Sequence, residues 1–374
     1  VPVSLIVGTP KGAAIISSND RKTWKENFVL RGWSVTASAR DDKGRTYVAV
    51  NSPIYGVALF TSDNLMDWSQ MASAPRYRPE DRGNPDHHRI VGAFDFEGKL
   101  KAGGRFVDQI WTLVWAHGAL YAGVSEAGLF VSKDRGESWQ PIDGFNEHPS
   151  RANWMPGAGG LGAHTFLIDG KNPQRMWAGV SAAGFFRSDD GGKTWHPKNK
   201  GVNPAVESAP ASTGQCVHSV AHDPNNANIM FRQEHRGMHR SDDGGDTWHV
   251  IEDGLPVGEL SDGHRCSFGF ASTMDRKAGV VFVVPLEGDN FRFPPNGQLA
   301  VYRTQDGKLW RAMKNGLPAN HFSAVLRGAI ASDQDSGVYF GTASGEVFAS
   351  SDLGETWQQV ARGLPRITSV EAFV

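Results

Sequence analysis

One phrase recurs along this chain and limits what it can fold into. SDDGGKTW at 188–195 returns as SDDGGDTW at 241–248, and the template Ser/Thr-x-Asp-x-Gly-x-Thr/Ser-Trp also fits SKDRGESW (132–139) and SSDLGETW (350–357). Weaker copies are SSNDRKTW (17–24), TSDNLMDW (61–68) and TQDGKLW (304–310), the last one residue short. Their tryptophans stand at 24, 68, 139, 195, 248, 310 and 357. Recurrence at such intervals marks one supersecondary unit used repeatedly.

Each copy sits among short apolar runs bounded by turn residues, the pattern of strands. Around the copy at 241–248 these runs are CVHSVAHD (216–223), NIMFRQ (228–233), MHRS (238–241) and HVIE (249–252). Four strands per unit in seven units describe an all-β chain, a seven-bladed β-propeller. The run RITSVEAFV (366–374) reads as an innermost strand with no blade after it, and SLIVGT (4–9) and AAIISS (13–18) read as strands that lack one. The last run is therefore expected to join the first blade and close the ring. The blades fall at 366–374 plus 1–30, 31–74, 106–145, 161–200, 215–253, 264–315 and 321–362, as one domain over 1–374 with a loop insertion at 75–105.

The repeated phrase reads as structure. Its Asp and Ser/Thr side chains can accept hydrogen bonds from the N–H groups of a tight turn. Its Gly permits positive φ, and its Trp can fill the gap between neighbouring sheets.

Composition removes several function classes. Lys plus Arg is 38 and Asp plus Glu is 40, a net charge of −2. With no basic stripe, neither nucleic acid nor an anionic membrane is an expected partner. No run of 18 apolar residues could span a bilayer. The opening VPVSLIVGTPKGAAIISSND lacks the basic and apolar regions of a signal peptide. A cytoplasmic location is expected, or a periplasmic one if a leader has been removed. Two cysteines, Cys216 and Cys266, are too few for a disulfide scaffold and read first as small buried thiols.

The phrase resembles the Asp-box, or BNR repeat, of sialidases, sortilin-like receptors, xyloglucan-degrading hydrolases and photosystem assembly factors. The stretches PGAGGLGAH, TGQCVH and VVPLEGDNFRFPPNGQLAVYR are similar to bacterial Asp-box proteins described as sialidase-like or glycosyl-hydrolase-like. The resemblance implies that the boxes lie on the turns from third to fourth strands. It also implies that a ligand site lies over the central channel on the opposite face, with the loops from second to third and from fourth to first strands.

Long loops belong to that face, at 69–106, 140–163, 196–217 and 286–298. Loops of this length in a compact domain commonly carry function. His164 and His218 occupy the same place, where an innermost strand begins, and His264 and His321 stand near the next two such starts. His235 lies in a turn at the same end as His218. Imidazoles are general bases and metal ligands, so His164, His218, His235 and His264 are candidate ligands of one divalent metal (Zn, Mn, Fe or Ca). His218, His164, His235 and Glu234 are the candidate catalytic groups. Other carboxylates at turns of that face are Glu126 and Glu287, and Glu371 lies on the last strand. Arg236, Arg265 and Arg292, with Arg151 and Arg327 nearby, could clamp a carboxylate, and Trp154 could stack on a sugar ring.

A true sialidase is the third reading: it has six blades and an N-terminal Phe-Arg-Ile-Pro type motif, whereas the nearest match here is FRFP at 291–294. The main expectation is a hydrolase or lyase acting on a saccharide or other small polar substrate in a His-rich pocket. The alternative is a non-catalytic ligand- or protein-binding or assembly propeller.

Overall fold

Strands follow the repeats through the whole computed structural model, which describes residues 1–81, 105–157, 159–205 and 210–374. They form seven four-stranded antiparallel sheets, and the fold is a seven-bladed β-propeller with almost no helix. The strands read as near-continuous apolar runs because a blade packed on both faces must bury side chains on both. Val3–Thr9, for example, is VSLIVGT and is buried at all but one position.

The chain falls into two compact units. The first comprises 1–35, 199–203 and 217–374. One of its sheets joins Ser369–Phe373 to Val3–Thr9, Gly12–Ser18 and Lys25–Val29. The expected pairing of the last strand with the first blade is thus present, with Glu371 opposite Ile6. A second sheet is Val217–His222, Met230–Glu234, Gly237–Ser241 and His249–Val250. A third is Phe268–Met274, Val281–Leu286, Val301–Thr304 and Arg311–Met313, and a fourth runs from Ile330–Ser332 to Gln358–Ala361. The ribbon Gly258–Glu259 with Arg265–Cys266 precedes the third sheet. Innermost strands pack on one another in order, and hydroxyls tie them: Ser219 Oγ lies 2.8 Å from Ser272 Oγ, and Ser332 Oγ donates to Met274 O at 2.6 Å.

The second unit, 36–198 and 204–216, holds three sheets whose first strands are Ser34–Arg40, Ile110–Ala116 and Gly162–Ile168. Its cores gather Tyr47, Leu59, Leu120 and Phe130 in one cluster and Phe145, Trp154, Phe166, Phe186 and Trp195 in another. In the first unit Leu5, Val7, Ile16, Val301 and Phe340 form the largest cluster. Each such side chain contributes roughly 1.5–3 kcal/mol on burial.

The repeated phrase is a self-contained hydrogen-bonded turn. Ser188 Oγ accepts from Gly192 N at 2.9 Å and donates to Asp190 at 2.8 Å. Asp190 Oδ1 accepts from Lys193 N at 3.0 Å and Thr194 N at 2.9 Å, and Thr194 Oγ1 donates to Asp190 Oδ2 at 2.6 Å. Gly191 and Gly192 hold φ of 75° and 89°, which a Cβ would strain. The Thr194 hydroxyl and N–H bonds lower the Asp190 carboxyl to about 2. In the three weaker copies the turn is one residue tighter. Ser18, Ser62 and Thr304 accept from Arg21, Leu65 and Gly307, three residues on, at 2.7, 2.9 and 3.1 Å. The copies at 17–24 and 61–68 therefore use a seven-residue turn beginning at Ser18 and Ser62, like the one at 304–310.

Candidate functional site

The first strand of several blades carries a register shift near its start. Pairing skips between Val217 and Ser219, between Ala163 and Thr165, and between Gly269 and Ser272. The residues left out of the ladder are His218, His164, and Phe270 with Ala271. A bulge bends the strand and re-aims the side chain it carries, so the equivalent positions of His164 and His218 have a common structural cause.

In the first unit His218 is buried, and its Nδ1 lies 2.7 Å from Gly269 O. A carbonyl only accepts, so Nδ1 donates, and in the neutral ring Nε2 then carries the lone pair. His235 occupies the two-residue turn after Met230–Glu234 and meets His218 edge to face, with ring centroids 4.8 Å apart. Phe268 lies 5.3 Å from each imidazole, and Phe270 lies 4.7 Å from His218. Burial lowers the His235 imidazole to about 4, with Asp289 opposing and Arg327, Arg236 and Arg292 adding to the shift. His235 is therefore neutral near pH 7.

Cations surround this pair. Arg327 and Arg292 both lie over the Phe270 ring, at 4.7 and 5.3 Å from its centroid. Arg236 pairs with Asp262 at 2.6 Å. Asp289 accepts from Ser261 N at 2.9 Å and Ser261 Oγ at 2.5 Å, and its main-chain oxygen takes Arg292 Nε at 2.9 Å.

Glu234 belongs to a different cluster. It forms a fully buried ion pair with Arg232, which also donates to Asn199 at 2.9 Å and lies 5.5 Å over Trp248. Burial raises the Glu234 carboxyl, and Arg232 opposes that rise. Gln233 points the other way and donates to Ser267 O at 2.9 Å. His264 lies between the two strands of the short ribbon, where its N–H bond helps to lower the Asp262 carboxyl; burial raises Glu252 nearby, and Arg265 is exposed. His321 faces Glu346 at 3.5 Å. Cys266 donates to His235 O at 3.4 Å, and burial pushes its thiol up to about 12.

In the second unit His164 stacks edge to face on Trp111 at 5.5 Å. Trp154 is 2% exposed and packs among Phe145, Phe186 and His148, with Arg151 over its ring at 5.0 Å. Cys216 is buried and donates to Ser181 Oγ at 3.3 Å. Of the candidates, the structure brings together His218, His235, Arg236, Arg292 and Arg327. It shows Glu234 in the ion pair with Arg232 and Trp154 in a core. Phe268, Phe270 and Asp289 were missed; the alternating aromatics of SFGF were their only signal, and nothing local marked Asp289. Most of the 69–106 loop, at 82–104, and part of the 196–217 loop, at 206–209, lie outside the described residues.

Residues 186–197 match the family model of the BNR/Asp-box repeat. The chain is a propeller that carries an Asp-box repeat. Solved structures agree with that fold. A GH74 xyloglucanase from Xanthomonas campestris superposes with a TM-score of 0.61 at 16% identity, over 96% of this chain and 53% of that one. A GH74 enzyme from Niastella koreensis gives 0.54 at 15% identity, over 95% and 46%. YCF48 bound to D1 peptide gives 0.52 at 11% identity, over 96% and 85%. The propeller thus spans about half the length of the GH74 enzymes. No curated protein matches it. Among the described residues no helix is long and apolar enough to cross a membrane.

Proposed function

We propose that this propeller is a saccharide-active enzyme, a hydrolase or lyase, whose reacting groups are His218 and His235. The observation that carries the reading is the imidazole pair itself, 4.8 Å apart and enclosed by Phe268 and Phe270. A neutral imidazole beside a substrate is a general base. The likeness to GH74 enzymes supports a saccharide as substrate.

The same pair could hold a divalent metal, the cofactor that fits its chemistry. Their ligand nitrogens lie within 4.8 Å of one another, and the His218 Nδ1 bond to Gly269 O fixes the tautomer that offers Nε2. A bound transition metal would polarise a substrate oxygen or acidify a water. Imidazole suits zinc and iron better than it suits manganese or calcium.

The test is a screen of oligosaccharides for new reducing ends and for unsaturated products, run on wild type, His218→Ala and His235→Ala. Loss of turnover by about 10²–10⁴-fold in both variants, with unchanged thermal melts, is expected. Undiminished turnover in both would overturn the assignment. Saturable binding without turnover in the wild type would instead make this a binding propeller, the role for which YCF48 bound to D1 peptide is the precedent.

A further inference from the structure

The weaker copy of the repeated phrase at 17–24 leaves its tryptophan in a different setting from its counterparts in the first unit. Trp248, Trp310 and Trp357 are 4%, 2% and 5% exposed, whereas Trp24 is only half-buried. Its turn is a tight one, closed three residues after Ser18. The Trp310 indole N–H donates to a main-chain oxygen, that of Ile251, at 2.7 Å. That of Trp24 donates instead to a side chain, Gln358 Oε1, at 3.3 Å. Tyr339 stands edge-on to the Trp24 ring at 6.2 Å, with its hydroxyl fixed on Asp333 at 2.7 Å. The indole is thus held in place with part of its surface left to solvent.

A cleft of 190 Å³ opens beside it, between the first and last blades. That is room for about six water molecules, and it is smaller than the ~300 Å³ at which sites for drug-sized ligands begin. It is the scale of one sugar ring. Gln358, Ser351 and Lys22 supply exposed polar groups to the wall. The Gln358 amide spends one N–H on Lys22 O at 3.1 Å and keeps the other. The Ser351 hydroxyl is uncommitted among the described residues.

Charge here selects neither an anion nor a cation. Arg21 and Lys22 are the cations of the wall, and Arg21 is matched by Asp333 at 2.9 Å with Asp335 at 3.7 Å. Asp20 and Asp352 stand in the adjoining turns, each accepting bonds from its own turn, and Glu355 pairs with Arg303. The acids behind the wall therefore outweigh its two cations, while no carboxylate lines the cleft itself.

We propose that this cleft is an auxiliary saccharide-binding site, which holds one neutral pyranose of a longer chain. The C–H face of the ring lies on Trp24, and its hydroxyls pair with the spare Gln358 N–H, Ser351 Oγ and the Lys22 ammonium. A flat aromatic wall with a few placed polar groups fixes a small ligand's orientation. The choice of a saccharide rests on the reading above, but the site shares no residue with the imidazole pair. Its role is to hold the chain, and the reaction belongs elsewhere.

The experiment is nuclear magnetic resonance of the indole N–H signals during titration with cellotetraose, with tetragalacturonate and glycerol as further probes. The protein has 12 tryptophans, and the signal missing from Trp24→Phe identifies Trp24. Cellotetraose is expected to shift that signal saturably, in wild type and equally in His218→Ala/His235→Ala. Gln358→Ala and Ser351→Ala are each expected to weaken this binding by about two- to tenfold. Both residues are exposed, so the fold does not depend on them. Glycerol is expected to give no saturable shift.

No saturable shift with cellotetraose, or unchanged affinity in both Gln358→Ala and Ser351→Ala, would overturn the proposal. So would tighter binding of tetragalacturonate than of cellotetraose, and so would loss of the shift in the imidazole double variant. Binding at Trp24 without turnover of any oligosaccharide would remove the enzyme reading and leave this site standing. Turnover that depends on His235, with no shift at Trp24, would do the reverse.

Discussion

Glu234 and His235 are consecutive residues that serve opposite faces of one blade. Strand alternation sends Glu234 to the side of Arg232, where the two form a buried ion pair. His235 turns to the side of Gln233 and packs on Phe268 and His218. Removing one partner of a buried pair strands the other charge. Arg232→Ala should destabilise the first unit by about 3–5 kcal/mol, and His235→Ala should change its stability far less. Urea unfolding followed by tryptophan fluorescence checks the order, and a larger loss for His235→Ala would contradict the assignment.

The Asp-box turns should behave as local staples. Asp190 accepts two N–H bonds and two hydroxyl bonds within its own turn. Asp190→Ala leaves those donors to water and should cost about 1–2 kcal/mol, the range for loss of a capping side chain. Calorimetric melts of the variant against wild type measure it.

Acid should weaken the same turns. Asp190 is lowered to about 2 by Thr194, and Asp243 and Asp352 are also lowered, with bonds from Thr247 and Thr356 outweighing burial. A lowered carboxyl contributes stability that is complete above its unfolded value, about 3.9. That contribution fades as pH falls towards 2. The melting difference between wild type and Asp190→Asn should therefore be largest at pH 5 to 7 and shrink below pH 4. An unchanged difference at pH 2.5 would show that the ionised form is not what the turn binds.

Glu371 has the opposite sign. Burial raises its carboxyl to about 7, with Arg276 opposing. Between its unfolded value, about 4.3, and pH 7 the folded chain holds a proton that the unfolded chain has released, so stability falls as pH rises through that window. Glu371→Gln should remove this loss and raise stability at pH 8 by up to about 3 kcal/mol relative to the change at pH 4. Denaturant midpoints at both values check it.

Metal content separates two roles for the imidazoles. Protein purified without a polyhistidine tag should carry about one equivalent of a transition metal if His218 and His235 are ligands, and the His218→Ala/His235→Ala variant should lose it. Plasma mass spectrometry reads both. No metal in the wild type would leave acid–base chemistry as the role of the pair.

Much of the fold was legible because its signals are local. The hydrogen bonds of SDDGGKTW close within eight residues, so the letters identify the turn wherever they recur. The shortened turns at Ser18 and Ser62 were less clear, because one hydroxyl can serve an N–H three or four residues ahead. His218 and His235 were legible as a pair for the same kind of reason: one begins a strand and the other ends the hairpin partner of that strand.

The amino-acid sequence by itself determined the repeated turn, the four-strand unit, the number of blades and the end of the blade where His218 and His235 meet. Only the tertiary structure decided that Phe270 carries two guanidiniums, that Arg327 joins Arg292 beside His218, that Glu234 belongs to Arg232, and that Trp154 is core. Those contacts join side chains from different repeats, or depend on which face of a strand a residue takes after a bulge. Sheet stacking and register set them, and neither leaves a fixed spacing in the sequence.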